Sequence, residues 1–249
     1  MCTLILKKPS NLNASLQIFG NRDERLDRAA GGFCEINIEK TRIWAPRDLE
    51  KGGTWLGVNE HGLFAGLTNR YAPDGYPHAD PACSRGEIPH AALACRNVDE
   101  AMTRLRELTT QSNYPGFHLV VCHHQEARLL IWDGTMLHER PVQDDTMVIT
   151  ERSFAGSPPQ REVSLRSALS QLDHELSLED VTSILSRHEL NSIDAVCVHL
   201  DGINYGTRSA VCINLGRDLK RIDIWESDSP PCRANWRKVE LGVKRGNDT

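Results

Sequence analysis

The order in which the apolar pattern changes its period constrains this chain most. Short apolar runs bounded by turn residues occupy both ends, and helix-period segments occupy the middle. "CTLILK" (2–7) and "SLQIFG" (15–20) read as strands on either side of the turn-forming "KPSNLNA". "TWLGVNEHGLFAGLTNR" reads as a hairpin: Trp55 to Val58 run out, a tight loop ends in Gly62, and Leu63 to Thr68 return. "FHLVVCHHQEARLLIWDG" reads as a second hairpin with His123, His124 and Gln125 near its tip.

Helical spacing follows in "RGEIPHAALACR" and "VDEAMTRLRELTTQ", where Ala101, Leu105 and Leu108 share one face of the second segment. In "SPPQREVSLRSALSQLDHEL", Ser157 is expected as the cap, Pro158 as the first helical residue and Gln160 as the capping-box partner. Leu165, Leu169, Leu172 and Leu176 then line one side. "SLEDVTSILSRHEL" repeats this kind of start with Ser177 and Asp180. Strands return in "DAVCVHL", "RSAVCINLG" and "RIDIWES", ahead of a Pro-Pro turn in "SPPCRANWRKVEL". Strands, then helices, then strands predict a layered α+β fold, and no repeat or linker divides the 249 residues.

Composition narrows the function. A net charge of −5, without a basic cluster and with five scattered tryptophans, argues against nucleic acid or an anionic membrane as partner. No apolar run is long enough for a membrane span. The opening "MCTLILKKPS" has no basic segment ahead of its short apolar run, so no secretory leader is expected. The eight cysteines, none in a Cys-x-x-Cys pair, are expected as reduced thiols in the cytoplasm, with no metal site. Cys122, Cys197 and Cys212 sit in apolar runs and read as core residues; Cys232 reads as a structural residue of a tail turn. Adjacent His123 and His124 would point to opposite faces of a strand. His61 reads as an exposed turn residue, and no context marks His118, His123 or His199 as a haem ligand.

Cys2 is different. Removal of Met1 would leave it with a thiol and a free α-amine, a nucleophile and a base on one residue. The amine's ordinary pKa of roughly 7.7–8.0 suits proton transfer at neutral pH. Supporting groups could come from polar residues at strand ends: Asn21, Arg22, Asp23 and Glu24 after the second strand, Asn69 and Arg70 after the hairpin, and Arg208 after Gly206.

The blocks "MC", "GNRDE", "GGTWLGVNEHGLFAGLTNR", "YGTRS" and "SPPC" together resemble the NRDE family, also called the transport and Golgi organisation 2 family. That family in turn resembles cholylglycine hydrolases and penicillin V acylases. The resemblance implies a four-layer αββα sandwich with Cys2 as nucleophile, Asn69 as oxyanion-hole asparagine and Arg208 supporting the nucleophile. The acylases' Arg-x-x-Asp pair maps in two ways. A gapless match on Gly20 puts Asn21 and Glu24 in those positions, and a match by chemistry, which is preferred, puts Arg22 and Asp23 there. Side chains alternate along a strand, so the two solutions cannot both face Cys2. Asn21, Glu24 and Arg70 are then the substrate-binding candidates. Where the acylases carry a second asparagine, "VITERSFAG" offers Glu151 and Arg152.

Two functions follow as expectations. The first is cleavage of a non-peptide carbon–nitrogen bond in a small-molecule amide, with no cofactor. The second, also implied by the resemblance, is non-catalytic binding and trafficking of an amphipathic ligand, either haem or a lipid or acyl-CoA, in the same pocket.

Overall fold

The computed structural model describes residues 2–8, 11, 14–71, 83–124, 126–188, 192–217 and 221–242. Strands β1 (Cys2–Lys7) and β2 (Leu16–Arg25) join β10 (Thr146–Ile149), β11 (His199–Leu200), β12 (Tyr205–Leu215), β13 (Ile222–Ser227) and β14 (Arg237–Lys238) in one antiparallel sheet. Its order is β10-β1-β2-β12-β13-β14, with β11 alongside β12. The second sheet is an antiparallel meander of β3 (Ala30–Ile38), β4 (Thr41–Asp48), β5 (Leu56–Asn59), β6 (Phe64–Asn69), β7 (Phe117–His123), β8 (Glu126–Trp132) and β9 (Leu137–Pro141).

Alternation along the strands builds the layers. Leu4, Leu6, Leu16 and Ile18 of the first sheet meet Leu56, Val58, Phe64 and Val120 of the second in the central core. The intervening residues Ile5 and Phe19 face outward, where α3 (Gln160–Leu169) and α4 (Leu178–Leu185) cover them with Leu165, Leu169 and Val181. On the far side, α1 (Glu87–Leu93) and α2 (Val98–Gln111) cover Ala65, Leu119 and Val121 with Ile88, Ala101 and Leu105. The result is the expected four-layer αββα sandwich. Each fully buried leucine contributes about 1.5–3 kcal/mol, so three such clusters fix the stacking.

The helix starts are instructive. Ser177 and Asp180 form the predicted capping box of α4. The predicted start of α3 does not form: the helix begins at Gln160, Pro159 occupies the cap position, and no side chain caps it. A residue before proline is steered to extended backbone, so Pro159 prevents Pro158 from entering the helix. Leu172 and Leu176 lie beyond the end of α3 but still pack in its cluster.

The "NRDE" run does not follow the second strand as expected. It continues β2, the strand paired with both β1 and β12, and Asn21, Arg22 and Asp23 are all buried. Gly20 lets β2 approach β1 here, since a Cβ at that position would lie 2.1 Å from the Thr3 carbonyl oxygen.

Candidate active site

Cys2 opens β1 and is paired directly with Arg22 of β2. Directly opposed residues of an antiparallel ladder share a face, and for this pair it is the face toward the second sheet. Arg22 is 6% exposed and stacks on Trp55, the residue just before β5, with 4.2 Å between the guanidinium carbon and the ring centroid. A Glu24 carboxylate oxygen lies 3.9 Å from Arg22 Nη2, while Arg22 Nη1 is buried with no hydrogen-bond partner among the described residues.

The odd-numbered residues of the motif face the helices. Asn21 donates from Nδ2 to the carbonyls of Leu185 (3.0 Å) and Val196 (2.8 Å), tying β2 to the end of α4. The Asn21 carboxamide is thus engaged on the opposite face from Arg22. Asp23 accepts from Thr207 Oγ1 at 2.6 Å and from Arg161 Nη1 at 3.1 Å. Arg161 Nη1 also donates to Thr3 Oγ1 at 3.1 Å and lies 4.0 Å from Glu151. Two buried carboxylates therefore share one buried guanidinium immediately behind Cys2. Burial pushes both carboxyl groups above their ordinary pKa, and Arg161 opposes that shift in each. Neither mapping of the Arg-x-x-Asp pair lands whole on the Cys2 face, which carries Arg22 and Glu24.

Burial is also the largest influence on the Cys2 thiol and raises its pKa. The Asp23 carboxylate adds to the rise; the Arg22 guanidinium and a hydrogen bond from the Asp23 backbone N–H oppose it.

Cys2 lies where two cavities meet. One is a polar cleft of about 520 Å³ whose wall includes Arg22, Glu24, Arg28, Asp48 and Asn69. The other is a narrow slot of about 60 Å³ between the sheets, lined by Leu4, Phe33, Leu56, Val211 and Arg208 among others. Asn69, at the end of β6, thus shares the cleft with Cys2. Arg208 sits at a bulge in β12 and lines the slot, but its guanidinium donates to the Leu26 carbonyl. The Arg70 guanidinium helps depress the pKa of His118. His61 is exposed, and His124 is buried against the Ala14 carbonyl at 3.1 Å.

With this geometry in view, the relatives are informative. A family model for transport and Golgi organisation 2 matches residues 1–229. The chain belongs to that family. A mouse transport and Golgi organization 2 homolog is 29% identical over 128 residues, and a bovine homolog is 31% identical over 127. Each alignment takes in 48% of this chain and 44% of the relative, so it spans less than half of either mammalian protein.

Solved structures show the fold that this transport and Golgi organisation 2 family member adopts. It is similar to penicillin V acylase from Agrobacterium tumefaciens (TM-score 0.56, 15% identity, 96% of this chain and 86% of that one). It is similar to the C2A mutant of a conjugated bile acid hydrolase from Clostridium perfringens (TM-score 0.56, 10% identity, 97% of each chain). A Caenorhabditis elegans ortholog of an N-acylethanolamine-hydrolyzing acid amidase matches with TM-score 0.57 at 12% identity, over 86% of this chain and 93% of that one. This is the N-terminal-nucleophile hydrolase fold.

Sequence reading missed Arg161, Trp55 and Thr207. Arg161 had a legible signal: it stands four and eight residues before Leu165 and Leu169 on the apolar stripe of α3, and it is 2% exposed. A charged residue on a core-facing stripe needs a buried partner. His118 is a buried residue of β7. It is 1% exposed, its Nδ1 lies 3.1 Å from Thr68 Oγ1, and burial, with help from Arg70, lowers its pKa to about 3. Among the described residues, no helix is long and apolar enough to cross a membrane.

Proposed function

We propose that this chain is an amidohydrolase that cleaves a non-peptide carbon–nitrogen bond with Cys2 as nucleophile once Met1 has been removed. The observation that carries the reading is the pairing of Cys2 with Arg22 at the junction of a polar cleft and an apolar slot, with Asp23 and Glu151 buried behind. The freed α-amine takes the thiol proton, and the two carboxylates raise its basicity. Glu151 is well set for this. It lies 4.0 Å from Arg161, the guanidinium that also binds Asp23.

The thiolate attacks the acyl carbon, and Asn69 donates a hydrogen bond to the developing oxyanion. The carbon–nitrogen bond then breaks, and the leaving amine takes the proton held by the Cys2 ammonium. Water, deprotonated by the same α-amine, hydrolyses the thioester and frees the acid. Arg22 stabilises the thiolate between steps. The apolar slot receives acyl carbon and the polar cleft receives the amine end. That the fold's solved relatives include a penicillin V acylase, a bile acid hydrolase and an acid amidase supports this substrate class.

The same junction of apolar slot and charged cleft suits an amphipathic ligand held without turnover, haem or a fatty-acyl compound included. Untagged protein separates the two readings. Intact mass lacking Met1, preferential alkylation of Cys2 and turnover of an acyl amide that C2A abolishes are expected. Retained Met1, or a Cys2 no more reactive than the other thiols, rejects the hydrolase. A Soret-band titration on wild type and C2A then tests the carrier.

A further inference from the structure

A second cluster of reactive side chains lies away from Cys2. His188 follows α4, Cys197 and His199 flank Val198 at the entry to β11, and Cys232 sits in the 3-10 turn Pro231–Arg233 that carries the Pro-Pro-Cys run. One ligand atom from each of the four falls within 4.8 Å of all the others. His199 Nε2 is 3.3 Å from the Cys197 sulfur and 3.3 Å from the Cys232 sulfur, and the sulfurs are 3.7 Å apart. The His188 and His199 rings meet edge-on at 5.2 Å between centroids.

The three separations among Cys197, His199 and Cys232 suit one face of a small tetrahedron, with His188 within 4.8 Å of each as the fourth corner. With Zn–S of about 2.3 Å and Zn–N of about 2.0–2.1 Å, a tetrahedral centre requires roughly 3.8 Å between two sulfurs and roughly 3.6 Å between sulfur and nitrogen. A disulfide is the competing use of two neighbouring cysteines, but it requires sulfurs about 2.05 Å apart and gives the two imidazoles no role. His188 has its outer contact in place: Nδ1 lies 2.9 Å from the Ser186 carbonyl, which fixes the tautomer that leaves Nε2 free for a ligand.

We propose that His188, Cys197, His199 and Cys232 form a structural zinc site. Four protein ligands close the coordination sphere, so the ion is a staple and not a catalyst. Binding Zn²⁺ displaces two thiol protons to solvent and leaves two thiolates and two neutral imidazoles around the ion, a site of zero net charge. The staple joins three stretches distant in sequence beside the active site. Val198, between two ligands, donates its N–H to Thr207 Oγ1 at 2.8 Å, and Thr207 in turn donates to Asp23.

The test uses the full chain. Wild type purified from zinc-supplemented medium and dialysed is expected to carry about one zinc per chain by elemental mass spectrometry. Cobalt added to the chelator-stripped protein should give the visible bands of tetrahedral sulfur–nitrogen coordination. Cys232→Ser should lose both signals, whereas Cys34→Ser, in β3, should keep them. Should Cys232→Ser fail to fold, His188→Gln, an exposed position, is expected to weaken cobalt binding at least tenfold. Metal in wild type no higher than in Cys232→Ser, no cobalt spectrum in soluble stripped wild type, or a Cys197–Cys232 disulfide in freshly purified protein would overturn the proposal.

Discussion

Cys2 and Arg22 are direct partners across the β1–β2 ladder, and the Arg22 guanidinium is held at 4.2 Å against Trp55, which leads into β5 of the opposite sheet. The cation beside the thiol is therefore fixed by strand register on one side and by sheet stacking on the other. An exposed pair of the same charges would be worth little; here a wall of low polarity strengthens the interaction.

Arg22→Ala removes the cation that opposes the burial-driven rise of the Cys2 pKa. Cys2 is then less ionised near neutral pH, and its alkylation by iodoacetamide should slow several-fold. Arg22→Lys should restore part of the rate, since an ammonium keeps the charge and loses the planar stack. Peptide mapping against the other seven thiols provides the internal reference.

Asn69→Ala should lower kcat for an amide substrate by roughly 10²–10³-fold, the usual cost of one oxyanion donor. Alkylation of Cys2 should stay near wild type, since an oxyanion donor acts on the intermediate and not on the thiol. Parallel losses in both assays would show that Asn69 supports the shape of the cleft instead.

Arg161→Met strands Asp23 and Glu151 as two buried carboxylates without their shared guanidinium. Removing one partner of such a cluster costs about 3–5 kcal/mol. The deficit in Tm should be larger at pH 8 than at pH 5, where the carboxyl groups can protonate. A deficit independent of pH would place the loss in packing.

Burial raises the native pKa values of Asp23 and Glu151, so the folded state binds their protons more tightly than the unfolded chain. Their contribution to stability is present below the unfolded carboxyl range and is lost as pH rises through the native values. Glu151→Gln should flatten that decline in a series of Tm measurements. An unchanged slope would rule out Glu151 as one of its sources.

His118 works in the opposite direction. Its native pKa of about 3 lies below the ordinary histidine value of roughly 6.5, so its contribution is present above the higher value and lost as pH falls toward the lower. His118→Asn should shrink the difference in Tm between pH 7 and pH 5, whatever its effect at pH 7 alone. Thermal unfolding by circular dichroism at the two pH values measures it.

Local chemistry in the sequence determined much of this protein. The apolar stripe of α2, the Ser177–Asp180 capping box and the two hairpins around Gly62 and the His123–His124 tip were all legible, because helix and strand periods and cap chemistry act over a few residues. The position of Cys2 at the head of an inner strand was legible for the same reason. Which residues of Asn21–Glu24 face Cys2 was not. A strand's period says that Arg22 and Glu24 oppose Asn21 and Asp23, but only the pairing with β1 and the stacking of the two sheets decide which face looks into the cleft. Arg161 reaching Asp23, Trp55 covering Arg22 and Cys232 meeting Cys197 are likewise tertiary decisions. They join residues tens to over a hundred positions apart, and long-range packing alone fixes the distances between their side chains.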